Sequence, residues 1–228
     1  MTFRRRHTIA GGVLGLLLTG LLAGGQPGPA GGAVVTGCER HAAASLARDV
    51  VVGEGRRVVV IGDSWAVGAG LREPTHSWPS RLPGAVRVAG FSGSGFSRTA
   101  SRCAGASYAD RSAAALARGA DLVVVQGGLN DVDQSTAAIE AGFRDLVREL
   151  RGYRVVVVGP AIAPARAAAV PRVNAVLGRL ADEHGIAYVD ATGRADDYLP
   201  DGLHLTRDGH RAFGAAIAAA LSELPGLR

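Results

Sequence analysis

The sequence predicts an α/β protein of three layers, in which helices cover both faces of a doubly wound, five-stranded parallel sheet. Two observations predict this fold. From residue 56 onwards, runs of β-branched residues alternate with Ala-rich stretches of helical periodicity. The β-branched runs are continuous rather than interrupted by polar residues, which is typical of parallel strands buried on both faces. Alternation of strands and helices on this scale indicates one parallel sheet.

Five short apolar runs, most of them rich in Val, are predicted as strands. In chain order they are residues 57–61, 86–89, 122–126, 154–158 and 186–189. We expect the strand order 2-1-3-4-5 of flavodoxin-like sheets. This order brings the loops that follow the first three strands close together at the carboxyl edge of the sheet.

Three stretches have the periodicity of amphipathic helices. They are residues 136–150, 171–183 and 207–222. The first has Phe143 on its apolar face and is followed by Gly152, which favours helix termination. The second begins at Pro171, a residue favoured in a first helical turn. The third follows Thr206, a predicted N-cap, and has Phe213 on its apolar face.

The N-terminal segment has the features of a secretory signal peptide. Arginines at positions 4–6 precede an uncharged apolar run at residues 9–22, and small residues suitable for cleavage follow. The alternative is an uncleaved anchor helix, but the run is short and Gly-rich for a bilayer span of about 20 residues. We therefore predict a signal peptide (1–33), an N-terminal extension (34–55) and an α/β domain (56–228), and expect a secreted or cell-surface protein.

The composition excludes several classes of function. All 25 basic residues are Arg, so a Walker A loop, a Schiff-base lysine and a Ser-x-x-Lys site are excluded. Beyond the N-terminal segment the arginines are scattered and not interleaved with aromatic residues, so we expect no nucleic-acid partner. No cluster has the spacing of metal ligands, and His210 is expected to be a capping or surface histidine. We expect a monomer that uses no cofactor and no metal.

The two cysteines, Cys38 and Cys103, allow two interpretations. In an exported chain, an even number of cysteines favours a disulfide between them. Alternatively, residues 35–38 (VTGC) resemble the lipid-attachment motif of bacterial lipoproteins, which would make Cys38 a lipidated first residue. Against this, Pro27 and Pro29 separate the motif from the apolar run. Membrane contact is expected only through the export signal or through such a lipid on Cys38.

Glycines and polar residues follow the predicted strands or precede the last helix. These segments are residues 62–65 (GDSW), 90–95 (GFSGSG), 127–131 (GGLND) and 201–204 (DGLH). Singly, each has an ordinary structural explanation: Ser64 as a helix N-cap, Asn130 as a turn residue and His204 as a surface histidine. Together, four such segments on one edge of the sheet indicate a functional site.

The spacing within these segments predicts nucleophilic catalysis. Asp201 and His204 are three residues apart, so the carboxylate can accept a hydrogen bond from one imidazole nitrogen. The other nitrogen can then face a nucleophile, for which Ser64 is the candidate. Ser64 is predicted at a helix N-terminus, where backbone N–H groups can stabilise a developing oxyanion.

At these segments the sequence resembles the SGNH (GDSL-type) hydrolase family. The family's first block is matched by residues 62–64, its second by Gly93, its third by residues 128–131 and its fifth by residues 201–204. No segment is assigned to the fourth block. The resemblance extends from about residue 57 to 221, and it implies the SGNH-hydrolase type of doubly wound fold.

The resemblance also implies roles for individual residues. Ser64 would be the nucleophile, His204 the general base and Asp201 the carboxylate that orients it. The oxyanion hole would consist of the backbone N–H groups of Ser64 and Gly93 and the side-chain amide of Asn130. The reaction would pass through an acyl-enzyme intermediate.

The first hypothesis for function is an exported serine esterase acting on a small-molecule ester with a small-acyl, lipid or carbohydrate O-acyl group. An acyltransferase with the same triad is the second hypothesis, and a catalytically weak cell-surface binding module is the third. The chain has no long insertion that could serve as a lid, which favours small soluble esters. Side chains that could line the cleft are Trp65, Phe91, Phe96, Arg98 and Arg102, although core packing would explain the aromatic residues equally well.

Overall fold

The computed structural model describes residues 36–195 and 197–226, so the predicted signal peptide lies outside the described residues. In the described part, the strands are β1 (Val51–Val52), β2 (Arg57–Gly62), β3 (Ala85–Gly90), β4 (Leu122–Gln126), β5 (Val155–Val158) and β6 (Ala187–Val189). The α-helices are α1 (Gly37–Arg48), α2 (Ser64–Val67), α3 (Tyr108–Leu116), α4 (Thr136–Glu149), α5 (Val170–Glu183) and α6 (Arg207–Glu223). The predicted doubly wound α/β fold is confirmed.

The six strands form one sheet in the order β1-β3-β2-β4-β5-β6. All neighbours are parallel except β1, which pairs antiparallel with β3. Without β1, the order is the predicted 2-1-3-4-5. The prediction of five strands therefore missed the two-residue edge strand β1, which is too short to give a periodic signal. Every residue of the central strand β4 is buried, as expected for a strand covered on both faces.

The helices pack as two groups. Helices α3, α4 and α5 contact one another in chain order, while α1 and α6 both contact the short 3-10 turn Pro74–His76. The three predicted helices are confirmed, and Thr206 caps α6 by accepting a hydrogen bond from the Gly209 N–H at 3.0 Å. Helices α1 and α3 were not predicted, because they are rich in Ala and carry few large apolar residues, whereas the start of α2 at Ser64 was predicted.

Of the two interpretations offered for the aromatic residues, core packing is the correct one for Trp65 and Phe96. Trp65 and Phe96 are fully buried. Trp65 packs edge-on against Phe213, and Phe96 packs edge-on against Tyr108. Their large apolar rings stabilise the fold and cannot contact a substrate directly. The other three candidates, Phe91, Arg98 and Arg102, are partly or fully exposed.

The N-terminal extension is folded onto the domain through a buried arginine. Arg48, in the last turn of α1, is fully buried. Its guanidinium donates to Ser77 Oγ at 2.9 Å and to Ser80 Oγ at 2.8 Å. The Ser77 hydroxyl in turn donates to the Ala66 carbonyl of α2 at 2.9 Å. Helix α1 is thereby connected by hydrogen bonds to the helix that begins with Ser64.

A disulfide joins Cys38, in the first turn of α1, to Cys103, with a Cα–Cα distance of 5.6 Å. It links the extension to the loop between β3 and α3. A lipid on the Cys38 thiol is incompatible with this bond. Disulfides are typical of proteins that fold in an oxidising compartment. Within the described residues, none of the helices has the length and apolar character needed to cross a membrane.

Replacing both Cys38 and Cys103 with Ser should lower the free energy of unfolding. For two cysteines 65 positions apart, the chain-entropy model gives a loss of about 4 kcal/mol. Thermal unfolding should therefore show a lower Tm, and reduction of the wild-type protein should produce the same shift. Activity should also fall, because the bond anchors the loop that follows Gly93. An unchanged Tm in both experiments would contradict this account.

Candidate active site

The structure places the candidate residues at the carboxyl edge of the sheet. Ser64 is the first residue of α2, directly after β2, and Gly93 lies in the loop after β3. Asn130 is in the 3-10 turn Leu129–Asp131 after β4. Asp201 and His204 lie in the loop that precedes α6. Four segments that are distant in sequence therefore meet at one edge, as the parallel topology requires.

Ser64 is held at a tight junction between a strand and a helix. The preceding Asp63 is the N-cap of α2, and its Oδ1 accepts the Trp65 N–H at 2.9 Å. A Cβ on Gly62 would lie 2.6 Å from the Cβ of Ala66, so glycine is needed for α2 to fold back against the end of β2. Ser64 is largely buried at this junction, with 8% of its surface exposed.

Asp201, His204 and Ser64 form a continuous chain of hydrogen bonds. Asp201 Oδ2 lies 2.7 Å from His204 Nδ1, and His204 Nε2 lies 3.1 Å from Ser64 Oγ. The other carboxylate oxygen, Oδ1, accepts the backbone N–H groups of Leu203 and His204, both at 2.9 Å. The bonds donated by the His204 side chain and these N–H groups lower the pKa of Asp201 to about 2.

This chain of hydrogen bonds determines which imidazole nitrogen can accept a proton. An ionised Asp201 can only accept, so His204 Nδ1 carries the hydrogen that donates to it. In the neutral ring, Nε2 then has a free electron pair directed at the Ser64 hydroxyl. The arrangement can therefore remove a proton from Ser64 as its oxygen attacks an electrophile.

The side chain of Asn130 connects the first three loops of the edge. Its amide nitrogen donates to the Ser94 carbonyl at 2.9 Å and lies 3.4 Å from Asp63 Oδ2. Burial raises the pKa of Asp63 to about 6. The contact with Asp63 is long for a hydrogen bond. The amide N–H that makes this contact can therefore donate to a nearby oxyanion instead, and little hydrogen-bond energy is lost.

Gly93 lies in the loop that Asn130 contacts through Ser94. Gly93 has a φ of +80°, a backbone conformation that favours glycine, and a Cβ built there would meet nothing within 4 Å. The backbone around Gly93 is therefore open to an incoming ligand. The Ser94 hydroxyl donates to the Phe91 carbonyl at 2.7 Å and lies 3.2 Å from the Gly62 carbonyl, which places this loop beside the segment that precedes Ser64.

Two side chains at the edge, the buried Asp131 and the partly buried Arg111, were not assigned a role from the sequence. Asp131, next to Asn130, accepts the N–H groups of Phe96 and Ser97 at 3.0 and 2.8 Å. Burial raises its pKa to about 6. Arg111, on α3, contacts the ends of β2 and β3. Asp131 was visible in the third segment, whereas Arg111 belongs to no motif and could be found only from the fold.

His210 is fully buried, so it is not a surface histidine, the second of the two roles predicted for it. Its Nδ1 accepts the Trp78 N–H at 3.3 Å. Burial and, to a lesser extent, the nearby His204 lower the pKa of His210 to about 4. His210 faces the core because it occupies the apolar side of α6, where Phe213 packs between the two tryptophans.

The His210→Asn variant should lose less stability than the wild type when the pH falls from 7 to 5. The folded-state pKa of about 4 lies below the ordinary histidine pKa of 6.5, so the unfolded chain binds this proton first. The wild type should lose about 2 kcal/mol through this group at pH 5. Thermal unfolding at both pH values measures the difference, with His76→Asn as a control at a partly exposed histidine. Equal losses in wild type and His210→Asn would contradict the prediction.

No group of three His, Cys, Asp or Glu side chains that could hold a metal ion occurs in the described ranges 36–195 and 197–226. The arrangement at the edge is instead a Ser–His–Asp chain with neighbouring amide donors. On a doubly wound parallel sheet, such a site is typical of hydrolytic α/β enzymes, and the protein is of this class.

The chain belongs to the GDSL-like lipase/acylhydrolase family, whose model matches residues 60–212. This confirms the resemblance seen in the sequence and makes the protein a carboxylic-ester hydrolase that acts on small-molecule esters. Helix α1 and strand β1 lie before the matched region. A comparison with curated proteins found no match.

Solved structures of esterases have the same fold. Est24, a carbohydrate acetylesterase from Sinorhizobium meliloti, aligns with a TM-score of 0.61 and 21% identity, over 74% of this chain and 99% of that one. The M. smegmatis aryl esterase aligns with a TM-score of 0.59 and 22% identity, over 75% and 100%. A family two carbohydrate esterase from Clostridium thermocellum, in complex with cellohexaose, aligns with a TM-score of 0.60 and 14% identity, over 77% and 66%.

Proposed function

We propose that the protein is an exported serine esterase in which Ser64 is the nucleophile, His204 the general base and Asp201 the residue that orients His204. The observation that carries this proposal is the continuous chain from Asp201 Oδ2 through the imidazole to Ser64 Oγ, with links of 2.7 and 3.1 Å. Both distances are within hydrogen-bond range, so proton transfer from Ser64 needs no rearrangement of the two side chains.

The reaction proceeds in two halves. Ser64 Oγ attacks the ester carbonyl carbon while its proton moves to His204 Nε2, and a tetrahedral oxyanion forms. The carbon–alkoxy bond then breaks, and the imidazolium returns its proton to the leaving alcohol. Water attacks the resulting acyl-enzyme with His204 as base, and collapse of the second tetrahedral species releases the acid and restores the Ser64 hydroxyl.

The oxyanion is stabilised by the backbone N–H groups of Ser64 and Gly93 and the side-chain amide of Asn130. Ser64 is the N-terminal residue of α2, where the first N–H groups of a helix point away from the helix body. The hydrogen bond from Asn130 to the Ser94 carbonyl supports the placement of all three donors around one point. Removing one such donor typically lowers kcat by about 10²–10³-fold.

The substrate we propose is an ester with a short acyl group, including an acetyl group on a carbohydrate. Two features support this class. The edge around Ser64 is open, with His204 and Asn130 only partly buried and Ile162, in the loop after β5, 40% exposed. Structural relatives described as a carbohydrate acetylesterase and an aryl esterase share the fold over nearly their whole length.

A series of p-nitrophenyl esters from acetyl to palmitoyl tests this class, together with acetylated xylo-oligosaccharides. We expect kcat/KM to be highest for acetyl and to fall steadily with chain length. A maximum at octanoyl or longer would overturn the short-acyl assignment and favour a lipase. To test for acyl transfer, the same reaction is run with an added sugar acceptor. Free acetate as the main product supports hydrolysis, whereas an acylated sugar as the main product supports the acyltransferase.

Export is the remaining part of the proposal. It is supported by the basic and apolar pattern of residues 1–33 and by the Cys38–Cys103 disulfide. Expression of the full chain in its host, followed by mass spectrometry of the extracellular fraction, tests it. A soluble product that begins near residue 34 and holds the disulfide supports export. A full-length product in the cytoplasm, or a lipid adduct on Cys38, would contradict it.

A further inference from the structure

Arg111, on α3, holds the ends of two strands together. Its guanidinium donates to the Gly62 carbonyl at the end of β2 at 3.0 Å, and to the Ala89 carbonyl near the end of β3. It also donates to Ser94 Oγ at 3.1 Å and to the Ala106 carbonyl at 3.0 Å. All four partners are neutral oxygen atoms, so Arg111 acts here as a branched hydrogen-bond donor rather than as one half of an ion pair.

These partners lie next to the three groups proposed to form the oxyanion hole. Gly62 precedes Asp63 and Ser64 in the chain. Ser94 follows Gly93, and the Ser94 carbonyl accepts the hydrogen bond from Asn130 at 2.9 Å. A single guanidinium therefore contacts the segment of each backbone donor directly, and it contacts the side-chain donor through Ser94.

The two backbone donors need such a connection because they lie beyond the end of the paired strands. The parallel pairing of β2 with β3 ends at Gly62 and Gly90, so beyond these residues the strand ladder no longer connects the two segments. The Gly62 carbonyl accepts two donors at this point, the Phe91 N–H at 3.0 Å and Arg111 at 3.0 Å, and the Ser94 hydroxyl lies 3.2 Å away. Hydrogen bonds from a charged donor are about twice as strong as neutral ones, so Arg111 is the stronger of the two donors.

The environment of Arg111 fixes its orientation. The guanidinium carbon lies 5.7 Å from the centre of the buried Tyr108 ring, which precedes it by one turn of α3. Burial lowers the pKa of Arg111 to about 10, so the side chain is still charged at neutral pH. A planar, charged group with several fixed donors can hold several oxygens at once, which a lysine ammonium on a flexible stem cannot reproduce.

We propose that Arg111 is a positioning residue that fixes the distance between the Ser64 and Gly93 N–H groups, and with it the shape of the oxyanion hole. This inference rests on the proposed function. Because the three donors are aimed at a charge that exists mainly in the transition state, loosening them affects kcat more than KM.

The variant Arg111→Met keeps most of the apolar stem and removes all of the donors. Its kcat for p-nitrophenyl acetate should fall by about 10- to 50-fold, with KM changed by less than about threefold. Arg111→Lys should recover part of the loss, because an ammonium can reach some of the oxygens. Millimolar guanidinium should increase the kcat of an Arg111→Ala variant and leave the wild type unchanged.

If Arg111 had a purely structural role, its loss would lower the number of active molecules and leave the kcat of each active molecule unchanged. All rates are therefore expressed per active site, counted by stoichiometric labelling with a fluorophosphonate. Arg179→Met is the matched control, because Arg179 is a half-exposed arginine that pairs with Glu140 and Glu183 on the surface. The inference is overturned if kcat per labelled site in Arg111→Met equals that of the control. It is also overturned if the substitution changes KM and leaves kcat unchanged.

The failure of this inference can be distinguished from the failure of the proposed function. If Ser64→Ala is inactive while Arg111→Met keeps its kcat per site, only the positioning role is lost. If Ser64→Ala remains active, the assignment of the nucleophile itself is wrong. The proposed function then fails, and the inference about Arg111 fails with it.

Discussion

Ser64→Ala should reduce kcat for ester hydrolysis by about 10⁵-fold or more, which is the scale seen when a triad nucleophile is removed. The variant loses the oxygen that lies 3.1 Å from His204 Nε2, so no acyl-enzyme can form. Any residual rate would come from water attack assisted by the remaining groups. Initial rates with p-nitrophenyl acetate, measured on highly purified variant, provide the test.

The same variant should fold normally. Alanine is favoured in a helix, and the α2 N-cap bond is made by Asp63 rather than by Ser64. Its Tm should lie within a few degrees of the wild-type value. Ser222→Ala, an exposed serine in α6, serves as the matched control and should keep full activity. More than a few per cent of wild-type kcat in Ser64→Ala would show that another residue is the nucleophile.

Asn130→Ala should lower kcat by about 10²–10³-fold while KM changes little, because an oxyanion donor acts mainly in the transition state. A loss confined to KM would mean that Asn130 only positions the substrate. The variant also leaves the Ser94 carbonyl without its donor, which should cost about 1 kcal/mol of stability.

A control separates this structural cost from the catalytic one. Asn174 on α5 donates to Asp190 at 3.1 Å and accepts the Tyr188 hydroxyl at 2.5 Å. Asn174→Ala should therefore lose comparable stability with nearly unchanged kcat. If both Asn variants lose kcat in proportion to their loss of Tm, the oxyanion role of Asn130 is contradicted.

Strands and site segments could be predicted because local sequence determines them. The strand β4 has five consecutive residues buried between helices, so its sequence LVVVQ has no polar interruption before the last position. Ser64, Asn130 and His204 lie in short segments next to such elements, and parallel topology brings them to one edge. For these residues, the order of strands and helices along the chain is enough to predict that their side chains lie close together in the fold.

The contributions of Arg111 and His210 could not be predicted in this way. Arg111 lies in the Ala-rich sequence of α3, and its four oxygen partners come from chain segments that only the fold brings together. His210 occupies a helix position whose burial depends on the packing of Trp78 against α6. The structural role of a polar side chain depends on which hydrogen-bond partners surround it. Those partners are known only once the tertiary structure is known.

The buried Arg48 has a consequence for where this protein begins as a folding unit. A recombinant chain trimmed to residue 57 would retain the parallel strands of the sheet and the candidate catalytic residues. It would nevertheless lose Arg48, the only charged donor described for Ser77 and Ser80, and with it the support behind the carbonyl of Ala66. The match to the family model starts at residue 60. We therefore expect a chain that starts at residue 57 to have a lower free energy of unfolding than a chain that starts at Thr36, although both contain the whole matched region.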